Sequence, residues 1–304
     1  MINGITHENQ GFDVRNLPLN KVKNMSEVYI CPSFLCNLNC PHCTLKNLPQ
    51  QLELARIEET LDYINENSGD MVLYDLFGGE PLLLPIFYLR RLHKRLIKKH
   101  YLVSTNLLNY NQEHLFLFKD ADLINTSWNP HRFNKDQFTL WLDNYKKVWY
   151  EKIPVNLMVT LTEDLIKECP PEKFLDLLRA LQPYSLDLDY VIGKDNTSLE
   201  DIDNWLCELY HNWTGLETHF GIVENMEKSL LYGFKYKDCS NHYTILPSGN
   251  IKPGCAYYEC DVDKSICYAC ELFPWCNGAC RLQSKCTFPK KLFNLVKEKI
   301  CNQN

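Results

Sequence analysis

Two hydrophobic periods alternate along the first two hundred residues. Short runs rich in β-branched and aromatic residues, at 27–31, 71–76, 101–105, 123–128, 155–161 and 185–191, read as strands. Between them, apolar residues recur at three- and four-residue spacing. Leu54, Ile57, Leu61 and Ile64 mark one helix, and Gly69 stops it. Residues 82–98, 112–118, 135–148, 171–181 and 199–211 read as further helices. Repeated strand–helix–strand units of about 30 residues predict a parallel α/β sheet with helices outside it. In such sheets the reactive groups gather at the carboxyl ends of the strands.

Composition narrows the class. With 304 residues, 45% of them hydrophobic, the chain has enough apolar sequence for one large domain and a small one. A net charge of −6 gives no reason to expect a nucleic-acid partner. One basic stretch, residues 90–100, runs against that balance. Leu89, Leu92 and Leu96 stand beside it at helical spacing, so it reads as a solvated helix face. The polar N-terminus lacks a signal-peptide apolar region, and Asp75 and Glu80 interrupt the best candidate for a membrane span. The expectation is a cytoplasmic protein with no membrane partner.

Cysteine is the anomaly, with fifteen in the chain. The cytosol keeps thiols reduced, so ligation of metal or clusters is the better reading than disulfides. Four lie between 31 and 43, Cys169 and Cys207 stand alone, and nine crowd between 239 and 301. That split predicts domains 1–230 and 231–304.

Cys36-Asn37-Leu38-Asn39-Cys40-Pro41-His42-Cys43 separates three thiols by three and two residues. Such a loop can wrap a cubane cluster with one thiolate per iron, leaving the fourth iron open for a ligand. Zinc is the competing reading, with Cys31 or His42 as the fourth ligand. The loop resembles the signature of radical S-adenosylmethionine (SAM) enzymes, whose aromatic slot before the third cysteine is filled by His42. That resemblance implies a partial (β/α)6 barrel with the cluster loop after the first strand. Gly78-Gly79-Glu80-Pro81, after the second strand, resembles the family's element for the SAM amino group, where side-chain-free backbone comes close to the ligand. Ser104-Thr105-Asn106 resembles the Thr-Asn-Gly element, although Leu107 replaces the glycine. Ser127-Trp128-Asn129-Pro130 stands where relatives carry Ser-Leu-Asp-Gly. By resemblance, His42, Gly78, Gly79, Glu80, Pro81, Ser104, Asn106, Ser127 and Asn129 are the expected cofactor-binding residues.

Near the C-terminus, Cys267, Cys270, Cys276 and Cys280 leave gaps of two, five and three residues, with Cys239, Gly249 and Cys255 upstream. This resembles the SPASM extension of peptide-maturing radical SAM enzymes, which implies two auxiliary [4Fe-4S] clusters. By that pattern Cys239, Cys255 and Cys280 serve the first, with Cys260 a candidate fourth ligand. Cys267, Cys270 and Cys276 serve the second, completed by Cys286 or Cys301, with a slight preference for Cys301. Paired zinc ribbons are the alternative. Cys31, Cys169 and Cys207 read as small buried hydrophobes. Cys31 is also a candidate hydrogen-atom donor, as some peptide epimerases of the family require one.

The resemblance implies reductive cleavage of SAM to a 5′-deoxyadenosyl radical, with electrons from a flavodoxin or ferredoxin. The expected substrate is a ribosomally made peptide or a protein side chain, oxidatively cross-linked or otherwise matured. Only about 26 residues precede the first strand, so the peptide is expected to need a separate leader-binding protein or to bind the barrel directly. Alternatives are the same chemistry on a small molecule, or a non-catalytic zinc-binding adaptor. Asp187, Asp189, Glu217, His219 and Tyr243 are all candidates for a general base, and none is singled out.

Overall fold

The computed structural model describes residues 11–40, 43, 52–69, 71–190, 197–233, 241–254, 270–276 and 288–302. The chain divides into two compact units. The first comprises Met1–Thr126, Lys135–Val155 and Cys239–Cys260; the second comprises Ser127–Asn134, Asn156–Asp238 and Asp261–Asn304.

In the first unit, α1 (Leu19–Lys23) precedes β1 (Glu27–Ile30), α2 (Leu54–Asn67) and β2 (Leu73–Leu76). Then come α3 (Ile86–Leu96), β3 (His100–Ser104), α4 (Leu115–Lys119), β4 (Leu123–Ser127) and α5 (Lys135–Tyr150). β2 pairs parallel with β1 and with β3, and β3 with β4. One face of these strands is buried under the helices: Val28, Ile30, Tyr74, Leu76, Tyr101, Val103 and Ile124 are all 0% exposed. Burying each such side chain stabilises the unit by about 1.5–3 kcal/mol. The polar tips in this layer are satisfied. Tyr74 Oη donates to Asn65 on α2, Tyr101 Oη to the Leu117 carbonyl, and Trp141 Nε1 to Thr126.

In the second unit, β5 (Val155–Leu161), β6 (Ser185–Tyr190) and β7 (His219–Phe220) are parallel neighbours. Around them stand α6 (Glu163–Glu168), α7 (Pro171–Leu181), α8 (Leu199–His211) and α9 (Gly221–Tyr232). The chain then returns to the first unit. β8 (His242–Ile245) pairs parallel with β1, and β9 (Ile251–Pro253) pairs antiparallel with β8. The last described elements, α10 (Phe273–Cys276) and α11 (Lys290–Cys301), belong to the second unit. There the Asp203 carboxylate of α8 accepts from the Lys291 and Leu292 N–H groups, capping α11.

The expectation of a parallel α/β sheet is met, with local corrections. The predicted helix 82–98 starts at Ile86, because Pro81–Leu83 forms a 3-10 turn and Pro85 sits at the N-cap of α3. The predicted helix 112–118 divides into a 3-10 turn, Gln112–His114, and α4. The basic stretch is not merely a solvated face. Arg91 and Arg95 of α3 reach Glu58 on α2, Arg95 also pairs with Asp62 at 2.9 Å, and His93 bonds Asp120 at 2.8 Å. Among the described residues, no helix is long and apolar enough to cross a membrane.

Candidate cluster and cofactor site

The cysteine loop leaves β1 alongside the loop that leaves β2, and backbone hydrogen bonds zip the two together. The Phe77 N–H donates to the Ile30 carbonyl at 3.0 Å, Gly79 N–H to Ser33 at 2.9 Å, and Glu80 N–H to Leu35 at 2.6 Å. The contact is too close for side chains. A Cβ on Gly79 would lie 2.0 Å from the Leu35 carbonyl oxygen, and one on Gly78 would lie 2.5 Å from that of Ser33. Gly78 also has φ +136°, a backbone conformation that L side chains rarely adopt. The glycine pair therefore lets the cysteine loop come close.

Glu80 ties in a third loop. Its side chain is 1% exposed. Oε1 accepts from Leu82 N–H at 3.0 Å and from the Thr105 hydroxyl at 2.6 Å, and Oε2 accepts from Asn106 N–H at 2.6 Å. The carboxylate thereby fastens the end of β3 to the end of β2. Asn106 extends the connection to the cysteines, donating from Nδ2 to Asn37 Oδ1 at 2.7 Å and towards Cys36 Sγ at 3.8 Å. Asn37 in turn donates to Asn109 at 3.1 Å. Leu107, in the place of the expected glycine, takes φ +59°, so the motif keeps glycine's backbone turn with a fully buried leucine. The Thr105 hydroxyl and the Asn144 side chain hold the two ends of that residue, bonding its N–H and its carbonyl.

Cys36 is exposed, Cys40 buried and Cys43 half-buried, and all three are free thiols. The Cys43 N–H donates to the Cys40 carbonyl at 3.1 Å. Leu38 N–H points at Cys36 Sγ at 3.4 Å. Although the residue is exposed, partial desolvation of its thiol raises the Cys36 pKa most, the charges of Glu80, Cys40 and Cys43 add to it, and the Leu38 N–H lowers it. Among the described residues, no three His, Cys, Asp or Glu side chains converge as ligands of one metal ion. A cubane makes no such demand, since each thiolate takes a different iron. The donor set fits that group: three thiols on one loop, with N–H groups aimed at a sulfur.

On the opposite face of the strands, Ser104 Oγ donates to Asp75 at 2.8 Å and accepts from Asn125 at 3.1 Å. Asp75 is 7% exposed, and burial pushes its pKa up to about 7. Cys31 is fully buried, its thiol directed at the Ser33 carbonyl. Cys169 is buried and Cys207 half-buried.

In the second unit Ser127 is half-buried at the end of β4. The Asn129 amide is used at both ends on one backbone: Nδ2 donates to the Thr160 carbonyl at 2.5 Å, and Oδ1 accepts from Thr160 N–H at 3.0 Å. Of the general-base candidates, Asp187 accepts from Asn156 and abuts the start of α9 at Gly221, and His219 pairs with Glu224 at 2.7 Å. Tyr243 is buried in β8, Glu217 is exposed, and Asp189 is half-buried on β6. Pro81 is buried in its 3-10 turn. Of the C-terminal cysteines, Cys270 is half-buried, Cys276 buried and Cys301 exposed at the end of α11. His42, Cys239, Cys255, Cys260, Cys267, Cys280 and Cys286 lie outside the described residues. Thr105 stood in the quoted Ser104-Thr105-Asn106 run without a role of its own, and Asn37 and Asn109 escaped the sequence reading, because asparagine in a loop carries no signal beyond turn preference.

No sequence among the curated proteins matches the chain. Among solved structures, native anSMEcpe with bound AdoMet and Cp18Cys peptide aligns with a TM-score of 0.75 at 16% identity, covering 91% of this chain and 98% of that one. Streptococcus suis SuiB bound to S-adenosylmethionine aligns with a TM-score of 0.64 at 16% identity, covering 91% and 75%. SuiB bound to its precursor peptide SuiA gives 0.56 at 14% identity, covering 77% and 61%. These likenesses establish the fold, the partial α/β barrel of radical SAM enzymes. The family model for the radical SAM superfamily matches residues 30–206, which run from the end of β1 through the cysteine loop into α8. With more than half its length matched, the chain belongs to the radical SAM superfamily of enzymes.

Proposed function

We propose that this enzyme is a peptide maturase that uses Cys36, Cys40 and Cys43 to hold the catalytic [4Fe-4S] cluster and oxidatively modifies a ribosomally made peptide or a protein side chain. The observation that carries the cluster assignment is the zipped pair of loops, in which Glu80, Asn106 and Asn37 fasten the cysteine loop at the strand ends. Support for a peptide substrate is the likeness in fold to anSMEcpe and SuiB, both solved with peptides. When bound, the cluster and SAM supply one-electron cleavage of the sulfonium and the radical that abstracts substrate hydrogen. The chain's own work is placement. Glu80 holds the ends of β2 and β3 in register, and Asn106 and Leu38 direct N–H groups at the Cys36 sulfur. His42, Gly78, Gly79, Pro81, Ser104 and Ser127 are assigned to the cofactor, and Asn129 to holding its segment against Thr160.

Two auxiliary clusters are assigned to the region 231–304, one held by Cys239, Cys255 and Cys280 with Cys260 as a candidate fourth ligand, the other by Cys267, Cys270 and Cys276 with Cys286 or Cys301; a leader-binding protein and a flavodoxin or ferredoxin are the proposed partners. The protein is placed in the cytoplasm. The test is anaerobic reconstitution with SAM and dithionite. About twelve irons per chain are expected for three four-iron clusters. Release of 5′-deoxyadenosine should be lost in Cys36→Ala, Cys40→Ala and Cys43→Ala. A peptide encoded beside the enzyme should lose hydrogen mass when supplied. Zinc in place of iron, with no deoxyadenosine, would defeat the assignment.

A further inference from the structure

We propose that the outer face of α3 is the docking surface for an acidic one-electron carrier protein. The inference rests on the assignment of a cluster to Cys36, Cys40 and Cys43, and adds where its electron arrives. Arg90 and Lys94 stand four residues apart on α3, Lys98 follows in the turn after it, and all three are exposed. Like charges at that spacing weaken a helix by about 0.2–0.5 kcal/mol per pair. The acids packed around α3 do not offset them. Glu58 and Asp62 on α2 take Arg91 and Arg95, and Asp120 takes His93. The Arg90 guanidinium carbon stands 4.5 Å from the Phe116 ring centroid. Among the described residues, Arg90, Lys94 and Lys98 form no ion pair. In a chain of net charge −6, a cationic face kept against its own repulsion favours a negatively charged partner.

The head of the same helix is apolar and adjoins the cysteine loop. Phe87 is 56% exposed, its ring centroid 4.1 Å from that of Tyr88, and Pro85 before it is exposed as well. The turn leading into α3 begins at Glu80, whose N–H is bonded to the Leu35 carbonyl. Leu35 is 54% exposed and directly precedes the exposed Cys36. The face therefore starts in a loop zipped to that of the first cluster ligand. Apolar contact at the head and cations along the helix suit a redox encounter, which is small, steered by charge and quick to part. In the step served, the carrier loses one electron and the oxidised [4Fe-4S] cluster gains it, with no bond or proton transferred. A nucleic acid would also use the cations, but gives no reason for the face to begin at the cysteine loop.

Wild type, Lys94→Glu and Phe87→Ser are reconstituted anaerobically as full chains. Release of 5′-deoxyadenosine is followed with photoreduced flavodoxin, with reduced ferredoxin and with dithionite, at about 0.05 and 0.5 M salt. Lys94→Glu sets an acid between Arg90 and Lys98, so its melting temperature should equal or exceed that of wild type. Its KM for the carrier should rise about tenfold at low salt, with the gap closing at high salt and the dithionite rate unchanged. Phe87→Ser should raise the same KM about tenfold at both salt concentrations. Unchanged KM for both carriers overturns the proposal, as does an equal loss of rate with dithionite. So does salt-sensitive binding of a single-stranded RNA that Lys94→Glu abolishes while carrier kinetics match wild type. Anisotropy of fluorescently labelled flavodoxin on the cluster-free full chain reads docking without chemistry. If wild type releases no deoxyadenosine even with dithionite, the cluster assignment fails, and equal anisotropy for wild type and Lys94→Glu separately overturns the docking face.

Discussion

Replacing Glu80 by Gln separates two roles for the carboxylate, fastening loops and contacting SAM. Both oxygens of Glu80 accept, one from Leu82 N–H and the Thr105 hydroxyl, the other from Asn106 N–H. Glutamine offers one acceptor oxygen and an NH2. The least costly orientation leaves the oxygen with Leu82 and Thr105 and sets the NH2 against Asn106 N–H, donor facing donor. One charge-assisted bond of about 1.5–3 kcal/mol is lost, and a buried N–H is orphaned at about 1–3 kcal/mol. Allowing for overlap between these terms, the loops should open more easily by about 2–4 kcal/mol. Amide hydrogen exchange reads that quantity locally. At 1.4 kcal/mol per decade, the amides of Leu82 and Asn106 should exchange about 30- to 700-fold faster in cluster-free, SAM-free protein. Exchange within threefold of wild type in that state, with only SAM binding weakened, would refute the fastening role.

Gly79→Ala places a methyl 2.0 Å from the Leu35 carbonyl oxygen, so the cysteine loop must move; iron content after reconstitution should fall, and undiminished iron would contradict the zipped-loop account. Asp75 has a folded pKa raised to about 7 from 3.8, so the folded state binds the extra proton between those values. Stability should therefore be greatest below about pH 4 on this account and decline by about 4 kcal/mol as pH rises to 7. Asp75→Asn should flatten that part of the profile in denaturant titrations, and an unchanged slope would show that the group titrates normally. Leu107→Gly relieves a left-handed leucine, worth about 1–2 kcal/mol, but empties a fully buried site at about 3–5 kcal/mol. A net loss of about 1–4 kcal/mol is expected, and a stabilised variant would mean that strain outweighs packing.

The strands and most helices were legible because their burial is one-sided. Val28 and Ile30 face helices while Glu27 and Tyr29 do not, and that alternation is written in the side chains themselves. The cysteine spacing and the Gly-Gly-Glu-Pro run pointed to the correct strand ends. What they touch was less legible. The glycines serve a backbone approach between two loops 45 residues apart in sequence, and no local pattern encodes such a partner. Asn129 looked like a ligand contact because polar residues at strand ends often are, yet its amide is matched to the Thr160 backbone. β8 and β9, four and three residues long, were overshadowed by the cysteines around them.

The position of β8 has a consequence for biogenesis. β1 lies between β2 and β8, and the Cys31 N–H at the head of the cysteine loop donates to the Ile245 carbonyl. On the ribosome β1 is made more than two hundred residues before its second neighbour. At typical elongation rates of about 5–20 residues per second, that edge waits about 10–40 s with its backbone unpaired. Through that interval the nascent chain offers an open strand edge prone to mispairing. Chaperone engagement is therefore expected to matter before β8 arrives, and cluster assembly factors should meet a finished cysteine loop only after β8 has been synthesised.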